Sequence, residues 1–262
     1  MVKPKIGLAL GSGGSRGIAH VGVIKCLTEN NISIDYLAGT SAGALIGGFY
    51  SGWQDIIKIE QLLSTINYRQ YLSLLFDPIS PTGIIKGDKI SRFLQQQLGS
   101  VEIEDLKIPF TAVATNSLTG QPVLINHGDL VKSIRASTSI PILFSETKIN
   151  GDSLIDGATS IPVQVSVVKQ MGADITIGVN VYTNLFPVKS ANITTSIFTL
   201  LYHLAQANLS TADIRIEPLL PANINSLDFV NTKDIIRLGY EATQKVIPQI
   251  KKLIRSHFFP FF

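Results

Sequence analysis

Ser41, at the centre of Gly39-Thr40-Ser41-Ala42-Gly43, is the residue of this 262-residue chain whose surroundings best suit covalent chemistry. In a Gly-x-Ser-x-Gly stretch the flanking glycines let the backbone turn sharply from a strand into a helix, which lifts the serine Oγ above the sheet edge. The context fits: an apolar run, Ile34–Ala38, precedes the serine, and a helical pattern over Ala42–Tyr50 follows it. Amides at a helix start have no intrahelical acceptor, so the Ala42 N–H is available to a developing oxyanion. The same pentapeptide also fits a glycine-rich turn that merely packs a helix onto a sheet.

A second glycine cluster, Gly11-Ser12-Gly13-Gly14-Ser15-Arg16-Gly17, joins a first apolar run, Ile6–Leu10, to a helix with Ile18, Val21, Ile24 and Leu27 on one face. Successive amides at such a junction make an anion site. In a hydrolase they would serve as oxyanion donors, Gly13 and Gly14 first among them, with Arg16 adding positive charge or bracing the loop. A dinucleotide fingerprint is disfavoured. In the Gly11/Gly13 register Arg16 occupies the third glycine position, and Asp35 lies at the start of the second strand instead of ending it.

Ser41 needs a base. The four histidines, His20, His127, His203 and His257, sit in no recognisable local motif. A Ser…Asp…His order would recruit His203 or His257, but Ser41 follows only the second strand, too early for an α/β-hydrolase. Asp156, in Leu154-Ile155-Asp156-Gly157-Ala158, ends a short apolar strand beside two small residues. Aspartate before glycine is also common in plain turns. Asp152, in Asn150-Gly151-Asp152-Ser153, fits the tip of a hairpin.

The elements that must position these residues alternate. Strands are expected at Ile6–Leu10, Ile34–Ala38, Phe110–Ala114, Val123–Asn126 and Asp174–Val181. Helices are expected after each glycine loop, from an N-cap at Asp88 to Gly99, over Asp129–Ser137 and Val163–Met171, and from Thr232 through or up to Pro248. Such alternation predicts a single-domain, three-layer α/β/α sandwich with a mostly parallel central sheet. Asn67–Lys86 and Thr183–Thr195 break the pattern and read as lids or plain connections. The chain ends His257-Phe258-Phe259-Pro260-Phe261-Phe262, a tail that packs on the body or meets a membrane.

Four blocks in this order resemble the bacterial branch of the patatin-like phospholipases over most of residues 5–182. Gly11–Gly17 is similar to their oxyanion loop and Gly39–Gly43 to their nucleophile elbow. Ala136-Ser137-Thr138-Ser139-Ile140-Pro141 is similar to the segment before their catalytic acid, and Asp156-Gly157-Ala158 to their Asp-Gly-Ala/Gly motif. Two departures are visible: Ser12 replaces a frequent loop glycine, and Ser160-Ile161-Pro162 varies the usual Asn-x-Pro. The resemblance implies a cytosolic lipid acyl hydrolase with a Ser41–Asp156 dyad and no histidine. Its oxyanion hole would draw on Gly13, Gly14, Ser15, Arg16, Gly17 and Ala42, with no metal or cofactor. On this view 1–182 is the catalytic core and 183–262 a helical extension packed on the same domain. Ser41→Ala and Asp156→Asn should then be damaging, and Asp152→Asn and each His→Ala tolerated. A non-catalytic acyl-chain-binding protein would keep the same pocket.

Composition sets the outer bounds. With 45% hydrophobic and 16% charged residues the chain suits a buried parallel sheet or a protein that works against lipid. The net charge of +3 is spread without a stripe, which argues against a nucleic-acid partner; the lipid or acyl-ester ligand is what the resemblance implies. One cysteine, Cys26, excludes an intramolecular disulfide framework. No stretch reaches the ~18 apolar residues of a membrane span, and the N-terminus lacks a signal-peptide core. The expectation is a cytoplasmic, soluble protein, with a peripheral membrane role left open; composition says nothing about oligomeric state.

Overall fold

The computed structural model of the chain describes residues 3–65, 73, 85–185, 193–222, 224 and 231–258. Most of Asn67–Lys86, the middle of Thr183–Thr195 and the phenylalanine tail beyond residue 258 lie outside the described residues. The first half contains β1 (Ile6–Leu10), a 3₁₀ turn (Gly14–Ile18), α1 (Ala19–Glu29), β2 (Tyr36–Thr40), α2 (Ala42–Trp53), α3 (Ile56–Thr65) and α4 (Asp88–Leu98). β3 (Phe110–Asn116), β4 (Pro122–Ile125), α5 (Leu130–Ser137), β5 (Thr147–Ile149), β6 (Asp152–Asp156) and a 3₁₀ turn (Gly157–Thr159) follow. The chain continues with α6 (Val165–Gln170), β7 (Ile175–Val179), α7 (Ile193–Leu209), β8 (Ile214–Ile216) and α8 (Thr232–Phe258).

The strands form one sheet in the order β5-β6-β3-β2-β1-β7-β8, with β4 on β3. The β3-β2-β1-β7-β8 run is parallel, and the β4, β5 and β6 pairings are antiparallel. Strand side chains alternate between faces, and the core divides accordingly. Ile6, Leu8 and Leu10 of β1, with Phe110, Ala112 and Ala114 of β3, join the cluster built on α1, α2 and α8. Ala9 and Val113 join the opposite cluster with α6 and α7. Helices thus cover both faces of a central sheet. Every residue of β1 and β7 is buried, which is why those strands read as unbroken apolar runs.

Several boundaries differ from the sequence expectations for identifiable reasons. β2 starts at Tyr36, because Asp35 is committed to β1's end: its amide donates to the Ile6 carbonyl and its carboxylate accepts from the Ile6 amide and Lys5. Gly87, not Asp88, caps α4; its φ is 81°, and a Cβ there would lie 2.2 Å from Arg135 Nη2. Asp129 is a true cap, its carboxylate accepting from the Lys132 amide at 2.8 Å. The β5–β6 hairpin turns on Asn150-Gly151, both at positive φ, so Asp152 opens β6 instead of forming the tip. α8 runs through Pro248. Residues past 183 are not only helical, since β8 pairs with β7 and extends the sheet. No helix among the described residues is long and apolar enough to cross a membrane.

Candidate active site

The site arises from two strands that share one edge of β3. β2 runs parallel to β3 and its last rung is Thr40 opposite Val113. β6 runs antiparallel to β3 and its last rung is Asp156 opposite Ala114. β4 occupies the other edge across Ala112–Thr115, so β2 and β6 lie on the same side, aimed at each other. Their carboxyl ends meet on adjacent rungs of β3. Gly157 is required where they meet, because a Cβ there would lie 2.2 Å from the Val113 carbonyl oxygen.

Ser41 sits at the turn with φ 54° and ψ −119°, a conformation costly for a residue with a Cβ. Both glycines of its pentapeptide are dictated by space. A Cβ on Gly43 would be 1.7 Å from the Leu10 carbonyl oxygen, and one on Gly39 would be 2.4 Å from that of Gly43. The Ser41 amide donates to Ser137 Oγ at 3.0 Å, and the Ser137 hydroxyl donates to the Val113 carbonyl at 2.5 Å. The strained turn is thereby tied to β3 itself. The Ser41 hydroxyl donates to Asp156 Oδ2 at 2.5 Å, and both residues are at least 94% buried.

Asp156 is held on three sides. Its amide donates to the Ser139 carbonyl at 2.9 Å, and its Oδ1 accepts the Ala158 amide at 2.8 Å. Burial drives its carboxyl from 3.8 up to about 6; the hydrogen bonds from Ser41 and Ala158 oppose that rise but do not cancel it. A carboxylate of this basicity is a usable proton acceptor near neutral pH.

The glycine loop lies against the same turn. A Cβ on Gly17 would be 2.4 Å from that of Ala42, so the loop and the start of α2 are in direct contact. Gly13 and Gly14 open the 3₁₀ turn, where no preceding turn supplies acceptors for their amides. Ala42 occupies the same place in α2. The Ser12 amide is committed to the Pro162 carbonyl, and the Ser12 hydroxyl pairs with the buried Tyr182 hydroxyl at 3.0 Å.

Of the roles expected for Arg16, its bonds are those of the brace, and its amide is taken up within the turn. Its amide donates to the Gly13 carbonyl, and its buried guanidinium donates to the carbonyls of Val181, Thr183 and Pro221. Burial lowers its pKa to about 10, still charged at neutral pH. Arg16 is therefore a brace that ties the loop to the chain after β7. Ser15 is buried in the middle of the turn, and Gly17 is its packing point on Ala42.

The histidines take no part in the Ser41–Asp156 pair. His127, His203 and His257 are exposed. His20 is fully buried, with Nε2 bonded to the Gly11 carbonyl at 2.7 Å. Asp152 is exposed and accepts from Asn116. Sequence reasoning missed the parts played by Ser137, Ser139 and His20. Only the block spanning Ala136–Pro141 hinted at the first two, and the hint came through resemblance, not chemistry.

The fold is a mixed α/β one that sets a serine on a strand-turn-helix elbow with a buried aspartate hydrogen-bonded to it. A family model described as patatin-like phospholipase matches residues 8–167, and the chain belongs to that family. An uncharacterized NTE family protein of Mycobacterium tuberculosis is 38% identical over 177 residues, which cover 68% of this chain and 49% of that protein. The lysophospholipase NTE1 of Yarrowia lipolytica is 33% identical over 183 residues, 67% of this chain and 12% of its own length. The chain thus spans about half of the first relative and a small part of the second. Among solved structures, VipD from Legionella pneumophila superposes with a TM-score of 0.55 at 13% identity, over 94% of this chain and 67% of VipD. The type III effector ExoU gives 0.50 at 15% identity, over 96% and 54%. At such identities these two likenesses speak to the fold alone.

Proposed function

We propose that this protein is a serine acyl hydrolase that cleaves carboxylic ester bonds of phospholipids, lysophospholipids or simpler acyl esters. The observation that carries the reading is the 2.5 Å hydrogen bond from the Ser41 hydroxyl to a buried carboxylate on a strained elbow. Family membership and the lysophospholipase name of the Yarrowia relative support a lipid ester as substrate.

Asp156 takes the Ser41 proton as Oγ bonds to the ester carbonyl carbon. The amides of Gly13, Gly14 and Ala42 hold the resulting oxyanion. Collapse of the tetrahedral species breaks the ester C–O bond, and the protonated Asp156 returns its proton to the leaving alcohol. Water then loses a proton to Asp156 and attacks the acyl-enzyme. A second collapse frees the acid and restores the Ser41 hydroxyl.

Contact with a lipid surface would fall to α7. Its 17 residues include no Asp, Glu, Lys or Arg, and Ile197 and Leu200 are exposed on it. The helix adjoins the glycine loop: Phe198 packs near Tyr182, which is bonded to Ser12.

A panel of phospholipids, lysophospholipids and chromogenic acyl esters, run on wild type and Ser41→Ala with a fluorophosphonate probe, tests the reading. Turnover and labelling should both vanish in the variant. An unlabelled and inactive wild type would instead leave an acyl-binding protein without catalysis.

A further inference from the structure

His20 stands apart from the other histidines. Its side chain has no solvent exposure, its Nε2 lies 2.7 Å from the Gly11 carbonyl oxygen, and its Nδ1 has no hydrogen-bond partner among the described residues. An imidazole sealed this way is costly unless the one bond it makes matters. Burial lowers its pKa to about 4, so at neutral pH the ring carries a single proton. A carbonyl oxygen only accepts, so that proton must sit on Nε2.

The bond's position gives it meaning. Gly11 is the first residue after β1 and the start of the loop that ends at Gly17, with its amide held by the Val179 carbonyl. The Gly11 carbonyl borders the nucleophile turn, since a Cβ on Gly43 would lie 2.8 Å from that oxygen. The His20 ring also flanks Gly17, whose missing Cβ would be 3.5 Å from Cδ2 and 2.4 Å from Ala42 Cβ. The ring thus touches both ends of the loop where each meets the elbow. The helix that carries His20 is held in its turn. A Cβ on Gly22 would lie 1.9 Å from the Ile236 carbonyl oxygen, and one on Gly239 would lie 2.1 Å from that of Ala19. α1 and α8 therefore cross in backbone contact on both sides of His20.

We propose that His20 is a positioning residue: its neutral imidazole donates Nε2–H to the Gly11 carbonyl and so sets the Gly13 and Gly14 amides at a fixed distance from Ser41. The inference deepens the acyl-hydrolase reading and rests on it for its catalytic consequence. On this proposal His20→Ala is the exception to the expectation that each His→Ala change is tolerated.

Three measurements test it. ¹⁵N NMR of histidine-labelled wild type should show one neutral Nε2–H imidazole that does not titrate between pH 5 and 8; an Nδ1–H tautomer would overturn the proposal without any variant. His20→Phe keeps ring bulk without a donor. It should speed amide exchange over residues 11–17 by hydrogen-exchange mass spectrometry. It should also lower kcat about 10- to 100-fold, with KM changed by no more than about threefold, as expected when transition-state donors are misplaced. His20→Gln places an amide N–H where Nε2–H was, and should restore both. A Gln variant as impaired as Phe, or a folded Phe variant with wild-type exchange and kcat, would refute it. If wild type hydrolyses no ester and takes no fluorophosphonate, the acyl-hydrolase reading fails, while tautomer and exchange still decide whether His20 holds the loop.

Discussion

Replacing Asp156 with asparagine should abolish activity and make the protein more stable, by an amount that grows with pH. Asparagine preserves the geometry: its Oδ1 accepts from the Ala158 amide, and its Nδ2 meets the Ser41 hydroxyl. What it removes is a buried anion. The folded carboxyl is raised from 3.8 to about 6, and that rise corresponds to about 3 kcal/mol of lost stability once the group is ionised in both states. Below the unfolded value both states bind the proton and the fold carries no cost. The stability present there is lost as pH rises through the folded value, and the loss is complete above it. Urea unfolding of wild type and Asp156→Asn across pH 4 to 8 should therefore show a gap of under about 1 kcal/mol at pH 4 that opens to about 3 kcal/mol at pH 8. In a chain of this size that gap is about 6–12 °C in Tm. A gap independent of pH, or a variant less stable than wild type at pH 8, would refute the idea that Asp156 is held as a desolvated base.

The same proton governs the rate. kcat/KM should fall tenfold per pH unit below about 6, because only ionised Asp156 can accept from Ser41; a stopped pH profile with no acid limb near there would exclude it as base. Ser41→Gly and Ser41→Ala both lose the hydroxyl, but only glycine is at ease at φ 54° and ψ −119°. Ser41→Gly should be more stable in urea by about 1 kcal/mol, and equal stabilities would mean the elbow is not strained. Leu200→Glu on α7 should weaken co-sedimentation with phosphatidylcholine vesicles and spare hydrolysis of a soluble ester; unchanged sedimentation would remove α7 from the membrane contact.

Most of what positions Ser41 was legible because it is local. Gly39 and Gly43 flag a turn through their lack of Cβ, and the apolar run before and helical period after place it between β2 and α2. The helix expected over Asp129–Ser137 formed as α5, with Asp129 as its cap. Boundaries failed where a distant partner decided them: Asp35 is pulled out of β2 by β1, and Gly87 displaces Asp88 as cap because Arg135 fills the space. β8 is three residues long, too short for periodicity to register. α7 carries an apolar face so broad that its pattern reads as a run interrupted by His203.

The Ser41–Asp156 pair divides in the same way. Residue types and spacing, read with a family pattern, determine that Ser41 and Asp156 are candidates, since a nucleophile elbow and an aspartate before small residues are short-range features. That they meet at 2.5 Å is a tertiary fact. It depends on β2 and β6 entering one edge of β3 from opposite directions, and no stretch of sequence encodes that register by itself. Burial likewise raised the Asp156 carboxyl to about 6, committed Arg16 to bracing the loop, and made of His20, an unremarkable helix residue in sequence, a proposed support for the loop. Each of those changes follows from which groups are removed from water together, and that is decided only when the chain has closed.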